Sequence, residues 1–101
     1  MNSAHETDTN GIWTYTRRTA NATDEMEILV AMGRERWELV DFGILYLEFR
    51  QPVDVSKALK WEYDRYTGLG HDEARRDHLA QGWEPSGRWG PFLYFKRPSP
   101  S

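Results

Sequence analysis

Apolar and polar positions alternate along some stretches of this chain and follow a helical period along others. Trp13 to Arg17 alternates large apolar with polar side chains and includes β-branched Thr, the pattern of a strand with one buried face. A turn-forming Asn21-Ala22-Thr23 follows. Asp24 with Glu27 three residues later has the form of a capping box, and Met26, Leu29, Val30 and Gly33 then fall on one helical stripe, which predicts a helix over 24–35. After Trp37, Leu39-Val40 and the run from Ile44 to Phe49 flank Asp41-Phe42-Gly43, short and glycine-bearing enough to turn a hairpin that Pro52 ends.

The same succession then recurs. Ile12-Trp13-Thr14-Tyr15 is answered 48 positions later by Lys60-Trp61-Glu62-Tyr63; Trp37-Glu38 and Phe49-Arg50-Gln51-Pro52 are answered 46 positions later by Trp83-Glu84 and Phe95-Lys96-Arg97-Pro98. The second copy predicts a strand near 60–66, a helix near 71–81 and a hairpin near 83–97 turning at Gly87-Arg88-Trp89-Gly90-Pro91. Its helix is far more polar than the first, with Asp72 and Glu73 in the first turn, where the helix dipole favours them. Gly82 stands before Trp83, where a left-handed cap needs glycine; Arg36 holds that place in the first copy, and matched turns strain it by about 1 kcal/mol.

Neither copy alone covers the inner face of its own sheet. The sequence therefore predicts one compact α+β domain in which two strand-helix-hairpin repeats form a largely antiparallel sheet, with two helices on one face and pseudo-two-fold symmetry. The divisions are a flexible tail over 1–11, a first repeat over 12–52, a linker over 53–59, a second repeat over 60–98 and a tail over 99–101.

The segments Leu29-Val30-Ala31-Met32-Gly33-Arg34-Glu35-Arg36-Trp37-Glu38-Leu39-Val40 and Leu79-Ala80-Gln81-Gly82-Trp83-Glu84, with the two Trp-x-Tyr starts and the final Lys96-Arg97-Pro98, are what carry a family likeness. With them the chain resembles a family of small bacterial domains of unknown function, marked by Trp-x-Tyr, a Leu-rich helix ending in Gly-x-x-Gly-Trp-Glu-Leu-Val, and a hairpin closing on Lys-Arg-Pro. The likeness covers most of 12–98 and implies the fold, with no activity attached. Arg36 departs from its Gly, Pro85-Ser86 from its Leu-Val, and His78 from its Leu.

Composition narrows the classes of function. A chain of 101 residues with five Trp must draw much of its burial from a few large side chains. Thirteen Lys and Arg against sixteen Asp and Glu give a net charge of −3 without a long basic block, which argues against nucleic acid as a partner. The absence of Cys excludes disulfides and thiolate chemistry and agrees with a cytoplasmic setting. No apolar run reaches membrane-spanning length, and Met1 to Gly11 lacks the basic start and apolar middle of a signal peptide, so no membrane partner is expected.

Two functional readings remain. In the first, a noncatalytic binding or assembly module presents Trp89 and Arg88 at a hairpin tip, with Tyr46 or Tyr94, to a protein partner or small ligand; a homo-oligomer is open. In the second, a small cofactor-independent cyclase, isomerase or lyase uses acid-base residues of the second repeat. His71 and His78 have no histidine counterpart in the first copy, Asp72 or Asp77 can orient an imidazole, and Glu62, Asp64 and Tyr66 alternate onto one wall of a strand. His71 and His78 are seven apart, too far along a helix to share an ion, so no metal site and no cofactor are expected.

Overall fold

The computed structural model describes residues 5–7 and 11–100. It is an α+β fold in the order β1 (His5–Thr7), β2 (Trp13–Thr19), α1 (Glu25–Arg34), β3 (Glu38–Phe42), β4 (Tyr46–Pro52), a short 3-10 turn (Val55–Lys57), β5 (Trp61–Thr67), α2 (His71–Ala80), β6 (Glu84–Trp89) and β7 (Phe92–Pro98). The strands divide into two antiparallel sheets, ordered β1-β2-β4-β3 and β5-β7-β6. Residues 5–7, read from sequence as tail, form the edge strand beside β2.

The two units match residue for residue in register. Trp13 pairs with Pro52 and Thr19 with Tyr46; Trp61 pairs with Pro98 and Thr67 with Phe92. Both hairpins carry an irregularity at the same place, between Leu39 and Asp41 and between Pro85 and Gly87. The shift in spacing from 48 to 46 arises in one connection: residues 20–24 join β2 to α1, and only 68–70 join β5 to α2. Arg36 has φ 73° where Gly82 has φ 86°, so the two helix-to-strand turns do match and Arg36 takes the left-handed conformation expected of it.

The capping box does not form. The Asp24 side chain makes no cap bond to the helix; its Oδ1 accepts from Asn21 N–H at 2.8 Å, closing the turn before α1 instead. α1 buries Leu29 and Met32 with Leu39, Leu47 and Phe49 of its own sheet, while Val30 turns outward. Tyr63 and Tyr94 bring the second sheet onto the same cluster, which Ala20 and Trp37 of the first unit complete.

The sheets stay separate because α1 takes the edge at which β5 would extend its sheet. Ser99 N–H donates to Lys60 O, which fixes the alternation along β5 and turns the Trp61 carbonyl outward. α1 runs along β5 at that edge, and Gly33 makes the approach feasible: a Cβ there would lie 2.1 Å from the Trp61 carbonyl oxygen. The equivalent edge of β2 is paired with β1. α2 packs on its own β6 rather than along β2, so the contact between the units is one-sided while their internal register is not.

Candidate functional site

Side chains alternate between the faces of a strand, so register sorts each sheet into two surfaces. In the first sheet, Thr16, Leu47 and Phe49 turn toward α1, and the outer face carries Trp13, Tyr15, Arg17, Tyr46, Glu48 and Arg50. In the second, the equivalent of that outer face carries Trp61, Tyr63, Arg65, Phe92, Tyr94 and Lys96. These two faces have the same scaffold and opposite environments.

The second-sheet face is core. Tyr94 is 1 % exposed and donates its hydroxyl to Glu25 in the first turn of α1, whose carboxylate also accepts from Arg65 at 2.7 Å. The Tyr63 hydroxyl donates to Trp37 O and accepts from Leu39 N–H, both at 2.7 Å, so it stitches β5 to the start of β3. Burial first, and for Tyr94 also the bond to Glu25, push both phenol pKa values well above the ordinary range.

On the first sheet the same positions meet no helix. Arg17 is 58 % exposed in its side chain, stacks over the Tyr46 ring at 4.2 Å and pairs loosely with Glu48 at 3.7 Å. Tyr46 donates to Asp41 at 3.2 Å, a bond that raises the phenol pKa. Arg50 lies 3.9 Å over the Trp13 ring, as Lys96 lies over Trp61 at 5.6 Å. Those two equivalent cations converge on Glu38, Arg50 Nε at 2.9 Å and Lys96 Nζ at 2.8 Å. Burial alone would raise the Glu38 pKa; the hydrogen bonds from Lys96 and Arg50 outweigh it and hold the carboxyl below its usual range.

The residues expected to bind do not share one surface. Trp89 is the last residue of β6 rather than a hairpin tip; it is half-buried, packs against the core and stacks on Phe92 at 6.0 Å. The turn itself is Gly90-Pro91. Arg88 is exposed beside a shallow depression at the start of α2. Tyr94 is buried, and Tyr46 alone lies on the open sheet face.

The acid-base residues form two groups. His78 Nε2 lies 2.7 Å from Asp64 Oδ2 and Nδ1 lies 2.7 Å from the Ala74 carbonyl, with the ring stacked on Phe95 at 3.9 Å. Asp64, not Asp72 or Asp77, is therefore the carboxylate that orients the ring. Both ring nitrogens therefore lie within hydrogen-bond distance of oxygens of the fold itself. His71 Nε2 sits 3.2 Å from Pro91 O with its ring edge-on to Tyr66, and Tyr66 donates to Leu69 O. Glu62 pairs with Arg97 at 2.7 Å. Glu62, Asp64 and Tyr66 do share the wall under α2, each already bonded within the fold.

Sequence reasoning missed the outer-face set Trp13, Tyr15, Arg17 and Arg50, since Trp13 and Tyr15 match the core pair Trp61 and Tyr63. The usable signal was Glu48 at the position of Tyr94. Compared with known proteins, the chain matches no family, no curated protein and no solved structure. Among the described residues, no helix is long and apolar enough to cross a membrane, and no cluster of three metal-ligating side chains occurs.

Proposed function

We propose that the chain is a noncatalytic assembly module that pairs with a second copy of itself through the outer face of its first sheet. The observation carrying this reading is the contrast between equivalent faces: Tyr63 and Tyr94 are buried in the contact between units, whereas Trp13 and Tyr15 are half-buried on a face that no helix among the described residues covers. Arg17 and Arg50 alternate there with Glu48 and Asp41, both signs together, so a two-fold-related copy can set Arg17 of one chain against Glu48 of the other. Exposed aliphatic residues extend the surface at both ends, Ile12 and Val53 beside Trp13, and Ile44 and Leu45 before Tyr46.

The matched register also supports reading the two units as a tandem duplication akin to the small bacterial domains, and the cysteine-free composition fits a cytoplasmic setting. Sedimentation equilibrium tests the assembly. Wild type is expected to show concentration-dependent dimers, Arg17→Glu to be monomeric, and Arg17→Glu with Glu48→Arg to dimerise again. A monomer at every concentration, or a dimer indifferent to Arg17→Glu, removes the reading.

A further inference from the structure

We propose that the cleft between α1 and β5 binds a small organic anion with an apolar body. The cleft encloses about 450 Å³, within the size range of small-molecule sites. Val30 and Arg34 stand one helical turn apart on its α1 wall, and Lys60, Trp61, Glu62 and Tyr63 form the wall opposite. The cleft forms where α1 of the first unit lies against the β5 edge of the second, whereas the equivalent edge of β2 is paired with β1.

Charge selects the ligand class. Glu62, the acid in the lining, is neutralised by Arg97 at 2.7 Å. Arg34 and Lys60 have no carboxylate partner among the described residues, so the cleft presents two cations in a chain of net charge −3. A carboxylate held between Arg34 and Lys60 gains charge-assisted hydrogen bonds, and the exposed Val30, with Trp61 in the lining, offers apolar surface to the rest of the molecule. Neither cation belongs to the outer face of the first sheet, so this site stands or falls apart from self-association.

Octanoate is the probe, with octanol as its uncharged twin, titrated into the intact chain and followed by amide NMR shifts and calorimetry. Octanoate should shift the amides of 30–34 and 60–63 saturably. Arg34→Gln with Lys60→Gln should weaken it by at least about tenfold, as loss of two charge-assisted contacts implies. Octanol should bind no better to wild type than to that variant. Arg34→Gln alone, at an exposed helix position, should weaken binding in the same direction and guards against misfolding of the double variant. Absent or non-saturable shifts at the cleft, equal binding of octanol, or unchanged octanoate affinity in a folded variant would overturn the proposal.

Discussion

The face of the second sheet bearing Trp61, Tyr63 and Tyr94 and the face of the first bearing Trp13, Tyr15 and Glu48 hold the same places in two units of identical register. Tyr63 and Tyr94 are buried on one, whereas Trp13, Tyr15 and Glu48 are half-buried on the other. Identical residues take both roles, so a Trp-x-Tyr strand does not by itself decide burial. What decides it lies elsewhere: Gly33 lets α1 approach β5, whereas Leu79 holds the equivalent place on α2, and β1 occupies the β2 edge. The residues that do differ then follow their surroundings, Tyr94 and Phe92 inside against Glu48 and Tyr46 outside.

The comparison breaks most visibly at Tyr94. Tyr94→Ala should cost about 3–5 kcal/mol, the range for deleting a buried aromatic, and leaves Glu25 short of a donor; Glu48→Ala should stay within about 0.5 kcal/mol. Urea denaturation of the two variants measures this. Next comes Gly33→Ala, whose methyl would meet the Trp61 carbonyl and force α1 off β5 at about 1–3 kcal/mol, while Leu79→Ala, exposed on α2, should cost about 0.5 kcal/mol or less.

Glu38 sharpens the contrast through pH. Its folded pKa is depressed by its two cations, so the stability it contributes is present above the ordinary glutamate pKa, about 4.3, and is lost as pH falls through the lower folded value. Stability measured from neutral pH downward should therefore fall less steeply in Glu38→Gln than in wild type across that acid range. A parallel pair of curves would mean that Arg50 and Lys96 do not hold the carboxylate as the geometry implies.

Much of the fold was legible because alternation and helical period are local. The helix expected over 24–35 runs Glu25–Arg34, and Arg36 carries the left-handed turn inferred from Gly82 alone. The glycine-rich run from Gly87 to Pro91 misled, since Gly87 serves the strand irregularity opposite Tyr94 and the turn needs only Gly90-Pro91. That error placed Trp89 at a tip. Asp24 failed as a helix cap for a similar reason, because Asn21 claimed its side chain first. The partner of His78 was hidden because Asp64 lies on another element, fourteen residues away, whereas the sequence offered Asp77 beside it. Which face is left uncovered is marked in the sequence only by Glu48 at the position of Tyr94, since it depends on how α1 meets a strand of the other unit.

The equivalent tyrosines test that distinction most directly, by denaturant unfolding of Tyr63→Phe and Tyr15→Phe. Removing the Tyr63 hydroxyl strands the Leu39 N–H and Trp37 carbonyl it bridges and should cost about 1–3 kcal/mol, whereas Tyr15→Phe should change stability by less than about 0.5 kcal/mol. Equal costs at the two positions would contradict the account, because they would mean that both faces are core.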